Sequence, residues 1–165
     1  MEEYVKALKL VKDEIVTDYY KNATEEESSA IFMERYLENL TGLKSELLGN
    51  MSITTSLIEV FDKSVKECLI NLARNSLEVL CILKKISPEN IITENKKLFE
   101  RKNADYGNSF VDFSLIGIIV RLNDKINRIL NLGISPSFDK MKVDEKIEDT
   151  INDLYNYCVI GLMYL

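Results

Sequence analysis

Apolar residues return at helical spacing along nearly the whole chain, and the breaks between these runs predict five or six helices. Tyr4, Val5, Leu8, Leu10, Val11 and Ile15 mark the first, over residues 2–20, with Lys and Glu alternating on its wet side. TEEES at 24–28 reads as an N-cap followed by first-turn acids, opening a second helix that ends near Gly49 and Asn50. Ile53, Leu57, Val60, Phe61, Val65, Leu69, Leu72, Leu77 and Leu80 carry a third, from about Ser52 to Ile86, with room for one break. SPEN at 87–90 starts the fourth, with Ser87 as cap, Pro88 at the first helical position and Glu89 behind it. That helix runs through LFERKN and stops at the turn-rich ADYGNS, residues 104–109. A fifth spans roughly Phe110 to Leu132 and closes at Gly133. After the loop GISPSFDKMK, the last begins at Val143 or Asp144 and runs to Leu165. Nothing reads as a strand or an internal repeat. The expectation is an all-α bundle in a single domain over 1–165, with the role of helices in 1–95 unassigned.

The polar positions are less ordinary. In EKIEDTINDLYNY, residues 145–157, Glu145, Glu148, Asp149, Asn152, Asp153 and Asn156 project into one arc of about 140°. Solvated helix faces mix signs, because like charges one turn apart repel. This row has no base in it. The fifth helix carries the complementary row: Arg121, Asp124, Lys125 and Arg128 share a face, with Leu122, Ile126, Ile129 and Leu130 on the core side. A short connection makes the two helices an antiparallel pair, so the rows are expected to face one cleft.

Composition narrows the chemistry. The chain has 165 residues, 46% hydrophobic and 29% charged, with six Gly and two Pro, the balance of a helical globular domain. A net charge of −6 argues against duplex nucleic acid as a partner, while leaving a local basic patch free to hold a single nucleotide. No apolar run is long enough for a membrane span, and MEEYVKALKL lacks the features of a signal peptide. Cys68, Cys81 and Cys158 lie in apolar patterns and read as buried thiols in a reducing cytoplasm. There is no histidine, which excludes a Ser–His–Asp triad and imidazole zinc sites. Any catalysis falls to carboxylates, Lys, Arg, Tyr and a hard, oxygen-bound metal.

An acid row facing a basic row suits Mg²⁺ and a polyphosphate. Mg²⁺ takes a few carboxylates and fills its remaining positions with water and phosphate oxygens. Arg and Lys neutralise the outer oxygens, and a carboxylate off the metal can orient the attacking water. The candidate metal set is Glu145, Glu148, Asp149, Asp153 and Asp124, with Glu148 or Asp149 in the catalytic role; Arg121, Lys125 and Arg128 are the phosphate candidates. In the turn KNADYGNS at 102–109, Lys102 could reach phosphate, Asp105 metal or sugar, and Tyr106 a base. A plainer reading stands beside each: surface ion pairs along one helix, a solvated or partner-binding acid face, a helix end with a packed tyrosine.

KNADYGNSF, RLNDKINR and VDEKIEDTINDLYNY together resemble a small family of phages and bacteria, the nucleotide-modification-associated domain, over about 97–165. The resemblance implies an all-α protein acting on free nucleotides. More distantly the chain is similar to MazG-like all-α nucleoside triphosphate pyrophosphohydrolases and helical dUTPases. These use Mg²⁺ on helix-borne acids and work as dimers or tetramers. It departs from their E-x-x-E and later E-x-x-D pattern, since Glu145, Glu148, Asp149 and Asp153 share one helix. The expectation is therefore a Mg²⁺-dependent nucleotide pyrophosphohydrolase. A non-catalytic nucleotide-sequestering protein and a helical interaction module are the alternatives. The apolar CVIGLMYL at 158–165 must be core or interface, and a homo-oligomer is expected from it.

Overall fold

The computed structural model describes residues 1–13, 26–49, 63–106, 114–133 and 146–164, and every element among them is helical. They are α1 (Glu2–Asp13), α2 (Glu26–Gly49), α3 (Lys63–Lys84), α4 (Pro88–Tyr106), α5 (Ser114–Leu132) and α6 (Ile147–Leu162). The all-α expectation holds. The predicted helical stretches 14–20 and 52–62 lie outside the described residues, as do the turn from Gly107 onward and residues 134–145.

Local chemistry explains most boundaries. Pro88 does stand at the first position of α4, where its missing N–H costs nothing, and the Asn90 N–H donates to Ser87 Oγ at 3.3 Å. Gly133 closes α5 with φ 78°, its N–H returning to the Ile129 carbonyl at 2.8 Å. Two boundaries differ from the sequence expectation. Ala104, Asp105 and Tyr106 belong to the helical residues of α4 rather than to the following loop. And α6 starts at Ile147, not at Val143 or Asp144, because Lys146 is extended (φ −66°, ψ 144°) while its carbonyl already accepts from the Asp149 and Thr150 N–H groups. The Lys146 side chain makes no cap hydrogen bond. Glu148 and Asp149 in the first turn oppose the positive end of the helix dipole instead. Glu145 consequently precedes the helix it was expected to ride on.

The end of α3 lacks such help. Lys85 sits just past the helix at φ 55°, a left-handed conformation where a Cβ is unfavourable. Lys85→Gly is expected to raise the unfolding free energy by about 0.5–1 kcal/mol, read as a higher urea midpoint with an unchanged slope.

Helices α2, α3, α6 and α5 pack in a closed ring: α2 on α3, α3 on α6, α6 on α5 and α5 back on α2. Outside the ring, α1 lies against α3 and α6, and α4 against α3. One buried cluster draws on all six helices, with Tyr4, Leu40, Leu72, Phe99, Leu122 and Leu154 among its members. Tyr36 brings a hydroxyl into it and meets Ser76 Oγ at 2.9 Å, which removes the cost of burying either group alone. The three cysteines are buried and unpaired, as expected, and burial pushes the Cys68 and Cys81 thiols up to about 12. Cys158, Val159, Gly161 and Leu162 are buried within this one chain, so the apolar run that suggested an oligomer is accounted for as core. Among the described residues no helix is long and apolar enough to cross a membrane.

Candidate functional site

Helix α6 is the floor of the site, and its polar arc divides between two flanks. Thr150 and Asp153 turn toward α5. There Lys125 Nζ donates to Asp153 Oδ2 at 3.0 Å, and Arg128 Nη1 donates to Thr150 Oγ1. Stepping three residues back along α5 matches three residues forward on α6, the register of an antiparallel pair. One member of each row, Lys125 and Asp153, therefore meets across the seam. The Lys125 and Asp153 side chains remain 24% and 34% exposed, so solvent reaches the pair.

Asn152 and Asn156 turn the other way, toward α4. Asn95, buried on α4, donates its amide to the Ile91 carbonyl at 3.1 Å and to Asn152 Oδ1 at 2.8 Å. Its own oxygen accepts from Asn152 Nδ2 at 2.8 Å and Asn156 Nδ2 at 2.7 Å. Both amide hydrogens and both lone pairs of Asn95 are thereby used, as a buried amide requires. Tyr4 of α1 covers the cluster: its hydroxyl donates to Asn156 Oδ1 at 3.4 Å, and its ring stacks on Phe99 with centroids 4.1 Å apart. Burial raises the Tyr4 phenol well above its ordinary value, so it stays a neutral donor.

The acid-and-amide face that looked like a single ligand row is thus two devices back to back, an amide clasp toward α4 and a charged seam toward α5. Sequence reasoning missed Asn95, Thr150, Tyr4 and Phe99. Asn95 left a signal: with Ile91 and Phe99 it falls at i, i+4 and i+8, a lone amide on an apolar line. A polar residue there must find a partner.

Of the residues singled out from the sequence, the structure brings Lys125, Arg128 and Asp153 together. Arg121 lies one turn along from Lys125, exposed, and Asp124 is exposed on the same helix. Asp149 is exposed and Glu148 half-buried in the first turn of α6. The register sets Arg121 level with Tyr157, roughly 13 Å along the axis from Glu148 at 1.5 Å per residue. Lys102 is exposed near the end of α4, whose last turn holds Asp105 and Tyr106; those two side chains and Glu145 lie outside the described residues. Among the described residues no three Cys, Asp or Glu side chains gather closely enough to hold a metal ion.

The fold and site define a helical bundle whose last two helices join through a charged seam. Residues 102–165, the end of α4 together with α5 and α6, match the family model described as nucleotide modification associated domain 1. The resemblance read from KNADYGNSF, RLNDKINR and VDEKIEDTINDLYNY is borne out, and the Lys125–Asp153 seam lies wholly inside the matched segment. Asn95, Phe99 and Tyr4 lie before it, so the clasp on the far flank joins Asn152 and Asn156 of the matched segment to residues that precede it. No curated protein and no solved structure matches the chain.

Proposed function

We propose that the protein binds a free nucleoside polyphosphate along the α5–α6 seam and acts as a Mg²⁺-dependent nucleotide pyrophosphohydrolase. The observation that supports the reading is the Lys125–Asp153 contact, which joins one cation and one acid of the two rows inside the segment that matches the nucleotide modification associated domain. Arg121, Lys125 and Arg128 would hold phosphate oxygens, Arg through a planar fork and Lys as a point charge. Lys102, Asp105 and Tyr106 at the end of α4 would take the remaining phosphate, sugar and base. Glu145, Glu148, Asp149, Asp153 and Asp124 are the acids from which a metal set would be drawn. Bound Mg²⁺ would supply charge neutralisation on the phosphate chain. Glu148 or Asp149 would take a proton from water as its oxygen attacks the α-phosphorus. The bond to the bridging oxygen breaks, and monophosphate and pyrophosphate leave.

A second reading, a nucleotide binder without turnover, has its own support: Asp153 is engaged by Lys125, and no three described acids converge. One experiment separates the two. A panel of nucleoside triphosphates with Mg²⁺ is followed both for pyrophosphate release and by titration calorimetry. Release with at least one substrate is the expected result; binding without release selects the second reading, and neither binding nor release rejects both.

A further inference from the structure

Asp153 accepts from Lys125 through one oxygen only, and both groups stay in contact with water. The seam does not need that bond to hold together, since Leu122, Ile126 and Ile129 on α5 and Ile151, Leu154 and Cys158 on α6 are buried there. An ion pair this exposed is worth little. A phosphate group presents more charge and more acceptor oxygens than one carboxylate, and a lysine on its flexible stem can reorient toward it. One turn away on the same helix Arg121 is exposed, so an arriving phosphate meets a second cation beside the paired one.

From this we infer that the Lys125–Asp153 pair is a self-blocked state of the seam. Asp153 occupies the position on Lys125 that a phosphate oxygen takes when a nucleotide binds, and binding exchanges one anion for the other. The inference rests on the nucleotide reading above and adds to it a built-in competitor that sets the affinity. A pair that only ties α5 to α6 would behave oppositely, because losing it would loosen the site.

The test is calorimetric titration of the full chain, without divalent metal, with the four common ribonucleoside triphosphates and inorganic tripolyphosphate. The proteins are wild type, Asp153→Asn, Lys125→Met and the double variant, each checked for helical content by circular dichroism. Asp153→Asn is expected to bind about fivefold tighter, the equivalent of one exposed pair that no longer has to be broken. Lys125→Met is expected to bind about tenfold weaker or worse, the loss of one charge-assisted contact. In the Lys125→Met background, Asp153→Asn should give no further gain. Wild-type binding that Asp153→Asn leaves unchanged or weakens overturns the exchange and spares the nucleotide reading. So does an equal gain in both backgrounds, which would be a field effect rather than release of Lys125. Binding that appears only once Mg²⁺ is added overturns the exchange and spares the nucleotide reading; if none of the probes binds wild type or Asp153→Asn even with Mg²⁺, the nucleotide reading falls and takes the exchange with it.

Discussion

Asn95→Ala is expected to lower the unfolding free energy by about 2–4 kcal/mol, measured by urea denaturation followed by circular dichroism. The size comes from what is stranded rather than from the side chain removed. Asn152 loses both halves of its reciprocal amide pair and Asn156 loses the acceptor for its Nδ2. Each half-buried group left without a partner costs about 1–3 kcal/mol. Asn95→Asp sharpens the assignment. It keeps an acceptor but turns an oxygen toward the Ile91 carbonyl and Asn152 Oδ1, where a donor is needed. The introduced carboxyl is buried, so its folded pKa lies above the unfolded one. The destabilisation is therefore full at neutral pH and shrinks as acid protonates the group and restores one donor. A loss under about 1 kcal/mol for Asn95→Ala would mean that the clasp is not buried in solution.

Asp149→Asn and Glu148→Gln are each expected to reduce pyrophosphate release at least about 100-fold, the range for a proton-transferring or water-orienting carboxylate. Nucleotide affinity measured without Mg²⁺ should hold within about threefold, since the direct phosphate contacts are assigned to Lys102, Arg121, Lys125 and Arg128 and not to these acids. Both residues also sit in the first turn of α6, where an acid opposite the helix dipole contributes about 0.3–1 kcal/mol. Thermal melts of the same variants separate the two contributions. Lower melting temperatures with unchanged release would reduce these acids to helix-terminus partners and leave catalysis without its residues.

How much was legible from the sequence follows from which interactions are local. Helix α6 was readable because Ile147, Ile151, Leu154 and Cys158 repeat along a single turn-by-turn line, and all are buried. The seam was readable because Lys125 and Asp153 sit on consecutive helices, each on the polar face opposite a regular apolar line. The clasp was not. Its members Asn95 and Asn152 are 57 positions apart, and no periodicity within α6 tells Asn152, which meets an amide, from Asp153 beside it, which meets a lysine. The start of α6 was misplaced for a related reason: projecting residues at 100° steps continues past the point where Lys146 leaves the helix, because the projection does not sense backbone conformation. The end of α4 was misplaced for the opposite reason, since Asp105 and Tyr106 resemble turn residues yet complete a helix already supported by the turns before them.

The Tyr4–Asn156 contact joins positions 152 residues apart, and α6 receives α1, α3 and α5 on its different sides. A polypeptide still being synthesised therefore offers α1 only its α3 and α4 partners until the segment around residue 150 has left the ribosome. Up to that moment the burial of Tyr4, Ala7, Leu8 and Val11 is incomplete. Contacts this remote in sequence also slow assembly relative to helix pairs that are neighbours along the chain. Helix α1 is made before α6 and completes its burial only once α6 is there to receive it, so part of its apolar side stays open in between.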